Sequence, residues 1–142
     1  MDLILKILLV LGLGIIELWA AIPAGLAVNL HPLITGLASA FGSIFGAFLV
    51  VTVGDRLRNW LLTKKATAQK EKGVIYKIWD KYGVIGLGLL SPLITGALFG
   101  AAIGVSLGAT PKRLLFWMCL GIAIWTIILT SFGTYGIIIF DK

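Results

Sequence analysis

Between Ile7 and Leu30 the chain carries one ionisable residue, Glu17, and between Tyr82 and Phe140 the only charged residues are Lys112 and Arg113. Stretches this poor in charge suit hydrocarbon. There every backbone N–H and C=O must be satisfied within the protein, so the chain has to become helix or closed barrel. Charged residues are 13% of the total, against about one quarter in a soluble domain. Four apolar blocks, roughly residues 3–30, 33–54, 82–108 and 114–140, are each long enough for a helix across about 30 Å of hydrocarbon. The expected class is an all-α membrane protein, one integral domain over residues 1–142. The first run is read as part of that domain rather than as a cleaved signal, because Asp2 precedes Lys6 and Glu17 interrupts it.

Two blocks do not read as plain spans. The first contains Pro23 and ends in Asn29-Leu-His-Pro32, and the third carries Ser91-Pro92 among many glycines. Proline removes a backbone donor and disfavours helix at the residue before it. A helix broken at membrane depth is tolerated only where protein or a watery cavity covers the break. Re-entrant hairpins that turn near Pro23 and Pro92 meet that condition.

Residues 55–81 gather Arg56, Arg58 and six lysines against three acids, which predicts a cytoplasmic loop and an inner-membrane, multi-pass protein. Lys112 and Arg113 join the same side only if the third block dips in and returns. The chain then reads as a first half (1–54), a basic loop (55–81) and a second half (82–142). Each half is a broken hairpin followed by a span that opens at Pro32 or Pro111, together an inverted repeat. A literal repeat, Pro32-Leu-Ile-Thr-Gly36 and Pro92-Leu-Ile-Thr-Gly96, implies a different register. Residues 72–82 alternate bases with Val74, Ile75, Ile78 and Trp79, the pattern of an amphipathic helix on an anionic lipid surface.

With one histidine, one cysteine and no paired carboxylates, the sequence offers no catalytic constellation, metal site or cofactor motif. The excess of base borders apolar segments and is not read as a nucleic-acid surface. Gly96, Gly100, Gly104 and Gly108, four apart, make a smooth helix-packing face. Glu17 is a candidate proton or cation site, since an intramembrane acid is neutral, paired or turned to water. Pro23, Asn29, Ser91, Pro92, Thr95 and Gly96 accompany it at the two breaks. Arg56, Arg58, Lys112 and Arg113 are candidates for a phosphate or lipid headgroup.

Two segments carry a resemblance. Glu17-Leu-Trp-Ala-Ala-Ile-Pro23 with Gly25, and Pro92-Leu-Ile-Thr-Gly-Ala97 with Thr110-Pro-Lys-Arg113, resemble the signatures of the putative small multidrug export proteins, distantly similar to the DedA/VTT membrane proteins. Where that family carries an arginine two residues after the acid, this chain has Trp19. The resemblance implies re-entrant hairpins and export. The expected activity is transport of a hydrophobic or cationic compound by a homodimer, coupled to protons through Glu17. The second expectation is a DedA/VTT-type lipid translocase for a polyprenyl-phosphate or phospholipid.

Overall fold

The computed structural model describes residues 2–64 and 74–140. Those residues form six helices: α1 (Leu3–Ile16), α2 (Leu18–Ala27), α3 (Pro32–Lys64), α4 (Val74–Ile94), α5 (Ala97–Ser106) and α6 (Pro111–Phe140). Only α3, over Pro32–Gly54, and α6, over Pro111–Ile139, contain a stretch long and apolar enough to cross a membrane. At 1.5 Å per residue α1 reaches about 21 Å and α2 and α5 about 15 Å, too short to cross alone. The expected surface helix begins at Val74 within the described residues and is set off from the apolar part of α4 by a non-helical Gly83 (φ 61°, ψ −145°). Lys65, Lys70 and Lys72 of the basic loop lie outside the described residues.

The first apolar block is broken at Glu17 (φ −146°, ψ 118°) rather than at Pro23, which lies inside α2. The third is broken at Thr95-Gly96, and Pro92 lies inside α4. A proline within a helix forfeits one donor, here the ones that would have reached the Trp19 and Gly88 carbonyls, and the helix continues past it. At each break the chain folds back. Gly25 approaches Val10 so closely that an added Cβ would lie 2.9 Å from Val10 Cγ2, whereas one straight helix would hold them about 22 Å apart. Gly104 stands likewise against Leu87. Both blocks are therefore helical hairpins with the break at the tip.

The halves correspond bond for bond. After α2, the Val28, Asn29 and Leu30 amides donate to the Ala24, Leu26 and Gly25 carbonyls. After α5, the Leu107, Gly108 and Ala109 amides donate to Ile103, Val105 and Gly104. Each bond lies 79 residues after its counterpart, as Pro111 lies 79 after Pro32. The turn residue with positive φ is Asn29 (56°) in one half and Gly108 (89°) in the other. Gly54 packs against Val105, and the equivalent Gly133 packs against Leu26, the equivalent of Val105. Such a reciprocal pair is what a two-fold relation produces. The literal pentapeptide repeat is not this register: Pro32 opens α3, while Pro92 sits near the end of α4.

These contacts set the positions of the ends. The turn after α2 adjoins Pro32, and the turn after α5 adjoins Gly54, with 23 residues or about 35 Å of helix between them. The hairpins thus start from opposite ends and point at each other. Arg56 follows Gly54 closely and Lys112-Arg113 follow the α5 turn, so all three exposed bases share one end.

Close packing at glycine holds the bundle. Gly42 and Gly46 of α3 lie on the Leu11 and Ile15 carbonyls of α1, so α1 and α3 run the same way, and Gly121 of α6 lies on the Gly88 carbonyl of α4. Of the four-residue glycine series, Gly100 and Gly104 pack within α5, against Ser91 and against Leu114 and Leu87. Gly96 and Gly108 have positive φ and lie just outside the helix, so they end it rather than line it. The outward residues Leu33, Leu37, Phe41, Phe45 and Phe48 of α3 and Phe116, Ile124 and Ile127 of α6 are exposed and apolar. An apolar exterior of this extent marks a membrane protein.

Gly42→Leu places a side chain against backbone that cannot rotate away, and is expected to cost about 3 kcal/mol or more, read as a lower thermal midpoint in detergent. Gly136→Ala meets open space and is expected to be neutral or stabilising by up to about 1 kcal/mol. In a Cys119→Ala background, cysteines at Arg56 and Thr110 are expected to label from one side of a vesicle and a cysteine at His31 from the other.

Candidate functional site

The two tips meet. A Cβ added to Gly96 would lie 3.0 Å from the Ile16 carbonyl oxygen, 3.5 Å from Glu17 Cγ and 3.8 Å from Glu17 Oε1. Glu17 and Gly96 are themselves 79 apart, so the residue at one break touches its own counterpart at the other.

Local backbone chemistry follows from the breaks. Glu17 ends α1, its amide donating to the Leu13 carbonyl at 2.7 Å, and it precedes α2 without capping that helix through its side chain. The first intrahelical donors are Ala21 in α2 and Gly100 in α5. The amides of Leu18, Trp19 and Ala20 and of Ala97, Leu98 and Phe99 therefore have no partner within their own helices. Two positive helix ends thus flank one half-buried carboxyl group. The other side of each break presents freed carbonyls. Gly14 O, which would have taken a donor from Leu18, instead accepts the Ser43 hydroxyl at 2.7 Å. In the second half Trp125 Nε1 donates to Leu89 O at 2.7 Å, inside α4 rather than at the break.

The expected site residues separate into groups. Glu17 and Gly96 are in contact. Thr95 and Ser91 lie in the turn before Gly96, where the Thr95 hydroxyl donates to the Ser91 carbonyl at 3.4 Å. The Ser91 hydroxyl is buried, without a partner, against Gly100. Pro92 is buried in α4, and Pro23 is exposed on α2. Asn29 is exposed at the far end of α2, about 15 Å of helix from Glu17, and does not join the tips. Arg56, Lys112 and Arg113 lie at one end of the bundle, away from the tips; Arg58 lies on α3, with its side chain outside the described set.

Sequence reasoning did not single out the hydroxyls of Thr35, Ser39 and Ser43, all fully buried. Their spacing of four on an otherwise apolar helix was the available signal. Trp125 carried no signal, since its bond to Leu89 crosses 36 residues.

Residues 17–128 match the family described as putative small multi-drug export protein. The chain belongs to that family. The match begins at Glu17 and takes in both tips, both turns and most of α6. Small multidrug export is the description of a transport family rather than of an enzyme family. Nothing matches among curated proteins or among solved structures.

Gly96 is the sharpest test of the tip contact. Gly96→Val adds a branched side chain against the Ile16 carbonyl at a φ of 80° that such residues avoid. Transport is expected to fall further than for Gly136→Ala, measured on protein of equal monodispersity.

Proposed function

We propose that this member of the small multidrug export family carries a hydrophobic or cationic compound across the inner membrane, with Glu17 as the proton-exchanging group. The single observation behind this reading is the contact between Glu17 and Gly96 at the meeting of two helix breaks. The hairpins are read as re-entrant and the halves as an inverted repeat. On this reading the length of α2, about 15 Å, sets Glu17 about half a span from the Asn29 turn, near the middle of about 30 Å of hydrocarbon. Freed amides and carbonyls at such a depth need a polar partner, and broken helices meeting at the midplane are a recurring way to build a transport site. A carboxyl there can hold a proton or a cation but not both, which couples the two.

A second reading, translocation of a lipid phosphate, draws on Lys112 and Arg113. Both are exposed in the first turn of α6, where the helix dipole disfavours cations, and an anion from a headgroup would relieve that.

The test is flux in proteoliposomes. Glu17→Gln is expected to abolish proton-driven transport of a cationic dye while the purified protein stays monodisperse. Unchanged proton-driven flux would end the coupling reading. Replacing Arg56, Lys112 and Arg113 with Gln is expected to leave dye flux in place, and loss of lipid-phosphate translocation alone would favour the second reading.

A further inference from the structure

Each break frees carbonyls as well as amides, and the two kinds have different partners to hand. A bond from an amide to the carbonyl four residues earlier cannot close across an extended residue. Glu17 (φ −146°, ψ 118°) therefore strips the Gly14, Ile15 and Ile16 carbonyls of their helical donors. Gly14 O takes the Ser43 hydroxyl, and Ile15 O lies against Gly46 of α3, 2.7 Å from where a Cβ would stand. Ile16 O faces Gly96, which has no side chain to offer a donor. Gly96 (φ 80°, ψ 156°) does the same across the seam to the Leu93, Ile94 and Thr95 carbonyls. The Thr95 hydroxyl gives its proton to the Ser91 carbonyl. An ionised Glu17 accepts hydrogen bonds from freed amides but has no proton to give these oxygens. With α1 and α4 both ending at the seam, the oxygens also carry the negative ends of two helix dipoles.

We infer that the seam between the tips binds one monovalent cation of the size of sodium, held by the Glu17 carboxylate, the Ile16 carbonyl and the Thr95 hydroxyl oxygen. This rests on the reading of the tips as a transport site and names an ion that competes with the proton for Glu17. The point where a Cβ of Gly96 would stand is 3.0 Å from Ile16 O and 3.8 Å from Glu17 Oε1, so both oxygens approach one spot. Carbon is already crowded there, whereas a bare ion close to Ca²⁺ in size bonds oxygen at about 2.4 Å. An alkali ion therefore suits the seam better than an organic cation. Calcium sites gather more negative charge than this. Among the described residues no three of His, Cys, Asp or Glu come together, and the single carboxylate of Glu17 balances a single charge. Carbonyl oxygens replace the hydration shell of alkali ions in channel filters, and the carbonyl ends of broken helices hold sodium in transporters.

The experiment is equilibrium binding of radioactive sodium to the purified protein in sodium-free choline buffer, read by scintillation proximity. The expected result is saturable binding of one ion per chain, displaced by unlabelled sodium and lost in Glu17→Gln. Thr95→Val is expected to weaken binding about fivefold or more, and Thr95→Ser, which keeps the hydroxyl, to retain it. No saturable binding by the unaltered protein overturns the inference. Binding that Glu17→Gln leaves unchanged marks an adventitious ion only and overturns it too. Unchanged affinity in Thr95→Val has the same consequence, and it decides the matter should Glu17→Gln not be monodisperse. Sodium binding alongside unchanged proton-driven flux in Glu17→Gln leaves this site standing while the proton coupling fails. Flux lost in Glu17→Gln, with no sodium bound by the unaltered protein, does the reverse.

Discussion

A helix interrupted inside hydrocarbon exposes backbone groups that lipid cannot satisfy, and everything else in this structure answers to that constraint. The chain interrupts its helices at Glu17 and at Thr95-Gly96 and sets the two breaks against each other. Neither tip could sit alone in the bilayer, since each presents three amides with no partner in their own helix. Placed together, each tip covers part of the other, and the only acid between Ile7 and Gly54 lies at the seam.

Holding the tips in place falls to small residues. Helices in lipid gain little from hydrophobic burial, so they rely on close contact between backbones. Gly14, Gly42 and Gly46 bring α1 onto α3, and Gly88 and Gly121 bring α4 onto α6. The reciprocal contacts of Gly54 with Val105 and of Gly133 with Leu26 then tie each hairpin to the long helix of the other half. The 79-residue correspondence extends to backbone placement, not to chemistry. The same scaffold carries hydroxyls on α3 and hydrocarbon on α6, and a carboxyl at one tip where the other has only a hydrogen.

Much of this was legible from composition and punctuation. Apolar blocks without charge required helices, and Pro32 and Pro111 marked the starts of the two long ones because a missing donor is harmless in a first turn. Lys112-Arg113 pointed to a third block that turns back, and in the structure that block is a helical hairpin. The breaks themselves were read in the wrong place. Pro23 and Pro92 drew attention as helix breakers, yet each is housed within a helix. The interruptions came six residues before Pro23 and three after Pro92, where Ser43 and the opposing tip could take up the freed groups. The pentapeptide repeat was a stronger textual signal than the true register, which survives chiefly in Pro32 and Pro111, in Gly25 and Gly104 and in the turn residues Asn29 and Gly108.

By itself the sequence determined the class, the two long helices and the presence of one acid in a long apolar stretch, because charge density and proline placement act through local free energies that need no partner. The tertiary structure alone decided where the helices break, that Glu17 faces Gly96, and which helix face carries the hydroxyls inward. Those outcomes depend on contacts between residues dozens of positions apart, and no local pattern encodes which carbonyl will find a donor across the bundle.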